Sequence, residues 1–167
     1  MLRNTLTTAL LVLPAAGFAA TVITMSSAAP PAARYVDAID WPAKDAGLAR
    51  LALSEEMLAL SFERICTDTF CEGEYQNLRP MQLACSVDAA KGTLKQCLWM
   101  FSGSKTSMNP KTGAVQSAAK VFKCKLALGK DTPVDAFYDA MHGAELLDVK
   151  LPMTNRTVND SLLGCLP

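Results

Sequence analysis

The chain has 167 residues, 16 basic and 16 acidic side chains, and a single histidine. Net charge is zero, no stacking aromatic series accompanies the lysines as a nucleic-acid face would need, and one histidine leaves little for a histidine-based metal or catalytic centre. The 50% apolar content is inflated by the N-terminal segment and overstates the core of the remaining chain.

At the N-terminus, Arg3 precedes an uncharged, weakly apolar run from Thr7 to Phe18. Small residues come next at spacings that a signal peptidase accepts, Gly17 with Ala19 or Ser27 with Ala29. Residues 1–29 are therefore expected to be a secretory signal peptide, cleaved near position 19 or 29. A retained anchor is the competing reading, because the uncharged stretch continues to Ala33. Pro14, Gly17 and the share of Ala and Thr weaken any spanning helix and favour cleavage. Residues 30–35, rich in Pro and Ala, read as a linker. Residues 36–167 then form one disulfide-stabilised domain.

Residues 42–66 read as a long helix, with Leu48, Leu51, Leu58, Phe62 and Ile65 at helical spacing. Asp40 is the expected cap and Pro42 suits a first turn. Glu55 interrupts the stripe. Leu53, Met57 and Leu60 lie off it, so the helix is expected to be well buried around more than half its circumference.

The period then changes to two. Met81, Leu83, Cys85 and Val87 alternate with smaller or polar residues, and a turn comes at residues 90–92. Cys97, Trp99 and Phe101 alternate with Gln96, Leu98 and Met100; after turn chemistry at residues 108–113, Phe122, Cys124, Leu126 and Leu128 alternate with lysines and Val121. This is the signature of an antiparallel meander. Folding the first hairpin about Lys91 sets Cys85 opposite Cys97, and folding the second between Pro110 and Lys111 sets Cys97 opposite Cys124.

Thr132, Pro133 and Asp135 resemble a capped helix start, with the helix running to His142 and stopping at Gly143. Residues 146–151 suit a fourth, edge strand. Thr157 and Asp160 repeat the capping pattern before a short helix that ends at Gly164. The order gives an α+β fold: a long N-terminal helix, a three- to four-stranded antiparallel meander and two short C-terminal helices.

Cys66, Cys71, Cys85, Cys97, Cys124 and Cys165 all lie beyond the leader, and an even count in an exported chain argues for three disulfides. The connectivity is open. With three cysteines in one row of the sheet, at most one bridge joins two of them directly. At least one must reach to Cys66, Cys71 or Cys165.

Charge is segregated. Residues 37–75 carry nine acidic and three basic side chains, residues 76–130 one acidic and nine basic, and residues 131–167 six acidic and two basic. Helix carboxylates facing sheet lysines within the molecule would account for this. The sharper reading is a partner-binding face centred on Lys123 and Lys125 beside the outward-facing Leu98 and Met100. Residues 97–101 are apolar on both sides of the strand, unlike a strand with one solvated face.

Chemistry is less visible. Glu72 and Glu74 are the alternative catalytic pair, with Asp68 nearby, although acidic residues in a turn more often cap or face water. Cys66 and Cys71 have four residues between them, unlike the C-x-x-C redox motif. Zinc would need cysteines that export oxidises, and the spacing of Asp68, Glu72, Glu74 and Asn77 fails the calcium-loop pattern. His142, near a helix end, suits the helix dipole better than catalysis. Residues 66–85 read as a covalent corner from helix to sheet, with Gly73 permitting a tight bend. Asn155-Arg156-Thr157 is a glycosylation sequon, relevant only in a eukaryotic secretory route.

The expectation is an exported, periplasmic or secreted binding protein, such as an inhibitor or immunity protein of the cell envelope. It would need no cofactor or metal, contact no nucleic acid, leave the membrane once the leader is removed, and take an acidic protein partner. The alternatives are a small hydrolase using Glu72 or Glu74, and an envelope structural component that dimerises through the outer sheet face.

Overall fold

The computed structural model describes residues 34–143 and 145–167, so the expected leader, residues 1–29, and the linker up to residue 33 lie outside the described residues. The sheet has four antiparallel strands in the order β1 (Tyr35–Asp37), β2 (Arg79–Asp88), β3 (Thr93–Met108) and β4 (Val115–Lys125). Three α-helices accompany it: α1 (Leu48–Cys66), α2 (Val134–Ala140) and α3 (Val158–Leu163). The class is α+β.

The fourth strand is not where the sequence placed it. Residues 146–151 make turns and one isolated bridge, Lys150 with Thr157. Their apolar residues Leu146, Leu147 and Leu151 are buried without pairing along the sheet. The fourth strand is β1, which pairs Val36 with Val87 at the other edge. Tyr35, the last residue of the expected linker, is its first residue.

The first helix also begins later than residue 42, and β1 precedes it. Residues 38–40 form a 3₁₀ turn, and the Asp40 carboxylate accepts from the Asp45 N–H in the turn beyond rather than capping a helix. Gly47 marks the start of α1, its N–H donating to the Ile39 carbonyl at 2.8 Å. A Cβ there would lie 1.9 Å from the Ala38 carbonyl oxygen, so only glycine permits this approach. α1 buries Leu51, Ser54, Leu58, Ser61, Phe62 and Cys66, a stripe one side wide. Leu48, Leu53 and Leu60 are about half exposed, so the helix is less buried than its composition suggested.

Register is set by the turns and bulges. Cys85 pairs with Cys97 as expected. Cys124 faces Trp99, not Cys97, because the β3–β4 turn spans Asn109 to Ala114, one residue later than its assumed centre requires. Asn109 organises it by accepting from the N–H groups of Lys111 and Thr112, and Gly113 supplies the positive φ of 71°. The slip is two residues in partner, so Cys124 keeps its face. In β2 the pairing shifts between Pro80–Phe101 and Leu83–Trp99. The extra residue breaks the alternation and leaves Met81 exposed, against the expectation that it faces the core.

The core lies between one face of the sheet and the helices. Phe62 of α1 meets Phe101 at 4.8 Å and Trp99 at 6.0 Å between ring centroids, and Trp99 and Phe101 lie 4.5 Å apart. All three are fully buried. Such aromatic contacts are worth about 0.5–1.5 kcal/mol each beyond the area they bury.

The C-terminal helices differ in how they start. Thr157 and Asp160 close a full capping box on α3, and Gly164 ends it, as the sequence predicted. α2 begins after Pro133 with no side-chain cap, because Thr132 is buried and its hydroxyl donates to the Gly129 carbonyl. α2 ends at Ala140, leaving exposed His142 beyond it, with Nδ1 3.3 Å from the Asp139 carbonyl oxygen.

Candidate functional site

Three disulfides join Cys66 to Cys71, Cys85 to Cys97 and Cys124 to Cys165. The second crosses adjacent strands, and the third ties β4 to the C-terminal segment. The first closes the end of α1. Phe70 inside its loop, and Tyr75 and Leu78 between it and β2, are buried, so this corner is anchored by packing as well as covalently. Gly73 has no positive φ, and an added Cβ would make only ordinary contact there, so the bend does not depend on it.

The corner's carboxylates point outward. Asp68, Glu72 and Glu74 are exposed. Glu74 forms an ion pair with Lys105, and accepting that hydrogen bond holds its carboxyl below the ordinary carboxylate range. A carboxylate so held stays charged and is poorly suited to deliver a proton. Beside it, Asn77 donates to Ser104 Oγ and accepts from the Ser104 N–H, fixing the corner to β3.

The outer face of the sheet brings the four proposed contact residues together. Leu98 stands directly opposite Lys125, and Met100 directly opposite Lys123. Paired residues on one face have Cβ atoms about 4.5–5.5 Å apart, so two apolar side chains and two ammonium stems form one contiguous block. Leu98 and Met100 are half-buried and both lysines are exposed. Val121, 52% exposed, extends the apolar edge two residues further along β4. The lysine stems can lie along apolar surface while the charges stay in water.

A shallow hollow of about 370 Å³ opens on the same face, lined by Tyr35, Asp37, Ala84, Ser86, Gln96 and Leu98. Its floor is β2, between β1 and β3. Sequence reasoning missed this extension because Tyr35 fell in the expected linker and no strand was expected ahead of the first helix.

Internal charge pairing accounts for part of the segregation. Glu63 of α1 pairs with Arg79 at 3.6 Å, and Glu74 with Lys105. Lys123 and Lys125 make no ion pair among the described residues. Their charge is available to a partner.

Among the described residues no three His, Cys, Asp or Glu side chains gather as a metal site, and no helix is long and apolar enough to cross a membrane. Comparison with protein-family models, curated proteins and solved structures gave no match. The functional reading therefore rests on this geometry.

Proposed function

We propose that the chain is an exported, disulfide-stapled binding protein whose outer sheet face, Leu98, Met100, Lys123 and Lys125, captures an acidic protein partner. It would act in the periplasm or outside the cell, in the manner of an inhibitor or immunity protein directed at an envelope enzyme. Three disulfides accord with an oxidising compartment. The observation that carries the reading is the pairing of Leu98 with Lys125 and Met100 with Lys123. An apolar centre with flanking unpaired cations suits a partner that meets it with apolar residues inside an acidic rim.

The test is affinity capture from the native envelope fraction with the wild-type chain and with Lys123→Glu/Lys125→Glu. A specific partner retained by the wild type and lost by the charge-reversed variant supports the reading. Equal retention by both removes this face as the binding surface. The alternative hydrolase makes a separate demand: turnover that disappears in Glu72→Gln or Glu74→Gln while the fold persists.

A further inference from the structure

At the end of the sheet nearest the β2–β3 turn lies a second hollow, about 340 Å³ in volume. Cations reach it from five separate places in the chain: Arg34 before β1, Lys91 in the turn, Lys95 on β3, Lys125 at the end of β4, and Lys130 in the loop after it. Two carboxylates share the hollow, and both are engaged. Asp88 accepts from Arg34 at 3.4 Å, and Asp131 pairs with Lys91 at 3.5 Å. Lys95, Lys125 and Lys130 have no acidic partner among the described residues. Buried Leu94 and Leu126 form part of the wall.

We propose that this hollow binds a phosphorylated ligand carrying at least two negative charges. Crowding unpaired ammonium groups around one concavity raises the free energy of the empty protein by self-repulsion, and a bound anion relieves it. The type of cation selects the anion. Arg34, the one side chain with a planar fork suited to a carboxylate, is already committed to Asp88. The three free donors are ammonium groups, point charges that each offer up to three N–H donors to separate phosphate oxygens. The volume falls at the lower end of the range of about 300–1,000 Å³ found for small-molecule sites. That leaves room for two phosphate groups, or for one phosphate with an organic body against Leu94 and Leu126.

A soluble phosphorylated molecule and a lipid headgroup present the same chemistry. Of the four proposed contact residues the site takes only Lys125, while Tyr35 and Gln96 line both hollows. Changes at Lys95 and Lys130 leave Leu98, Met100, Lys123 and Lys125 in place and so test it separately from that reading.

The experiment is an NMR titration of the folded protein with pyrophosphate at an ionic strength of about 0.15 M, where distant charges are screened. Saturable shifts centred on the amides that line the hollow, Lys95, Lys125, Gly129 and Lys130 among them, are expected. In Lys95→Gln/Lys130→Gln, affinity falls at least about tenfold, since two charge-assisted donors are lost. Lys111→Gln, in the β3–β4 turn, binds like the wild type. Shifts reproduced by sodium chloride at matched ionic strength, or equal affinity in the Lys95→Gln/Lys130→Gln variant, would overturn the proposal. A second arm uses phosphatidylcholine vesicles with about 20% phosphatidic acid, an anionic surface that attracts basic segments. Vesicle binding that pyrophosphate displaces identifies a headgroup as the source; pyrophosphate binding without vesicle binding identifies a soluble one. Vesicle binding that survives in Lys95→Gln/Lys130→Gln, with no pyrophosphate binding, also overturns it.

Discussion

The carboxylate of Glu55 on α1 accepts a 2.7 Å hydrogen bond from the backbone N–H of Leu83 in β2. This places an acidic side chain where the β2–β3 pairing shifts between Pro80 and Leu83. A bulge leaves ladder groups without their strand partner, and Glu55 satisfies one of them. The residue that broke the apolar stripe of the helix thus joins helix to sheet. Removing the acceptor in Glu55→Ala is expected to cost about 1–3 kcal/mol, as for a buried donor left unpaired. Glu55→Gln, which keeps a neutral acceptor, should lose about half as much. Urea unfolding of the three proteins measures both; equal stability of wild type and Glu55→Ala would mean the bond contributes nothing.

The rotation of α1 gives a second prediction. Leu58 is fully buried, whereas Leu53 and Leu60 are about half exposed. Leu58→Ala should destabilise by about 2–5 kcal/mol, the cost of a core cavity. Leu53→Gln and Leu60→Gln should each stay within about 0.5 kcal/mol, as surface changes do. Thermal denaturation separates the cases, and comparable losses at all three positions would contradict the observed rotation.

The disulfides should differ in what they contribute. Cys85–Cys97 spans 12 positions of sequence and Cys124–Cys165 spans 41. Chain-entropy scaling makes the longer closure worth about 1 kcal/mol more. Paired Cys→Ala variants are therefore expected to lose more stability at Cys124 and Cys165 than at Cys85 and Cys97. Peptide mapping of the native protein should also yield Cys66–Cys71 and no alkylatable thiol before reduction.

Much of this was legible in the sequence. Period-2 alternation located β2, β3 and β4, and the pairing of Cys85 with Cys97 came from a short turn. Strand parity put Leu98 and Met100 on the outer face, as even-numbered positions in a strand whose odd positions are core, and the basic excess of residues 76–130 drew attention to Lys123 and Lys125. What escaped was set by distant contacts. The exposure of Met81 depends on a bulge, the start of α1 on the meeting of Gly47 with Ala38, and the missing edge strand on burial of Leu146 and Leu151 in turns. The basic hollow was visible only as an excess of lysines in residues 76–130. Nothing in their spacing says that Lys91, Lys95, Lys125 and Lys130 converge, because the sheet topology brings them together.

The capping box of α3 predicts a pH dependence. Asp160 accepts from the backbone N–H of Thr157, and this bond, with a further hydrogen bond to the carboxylate from the Thr157 side chain, holds its carboxyl below the ordinary value. Its folded pKa is lower than its unfolded one. The stabilisation is therefore complete above the unfolded value and is lost as pH falls through the depressed folded value. Asp160→Asn should be less stable than wild type near neutrality, and the gap should close as pH falls through that acid window. A gap that stays constant with pH would show that the carboxylate's charge does not matter.

The central claim is that the outer sheet face binds a partner, and it is tested most directly by crosslinking from that face. A photoreactive residue in place of Met100, in the chain expressed in its native host, should give one discrete heterologous adduct on irradiation. The adduct should vanish when Lys123 and Lys125 are reversed to Glu, and should not form from a photoreactive residue at exposed Ala49 on α1. No adduct at position 100, or one that survives the charge reversal, would contradict the account.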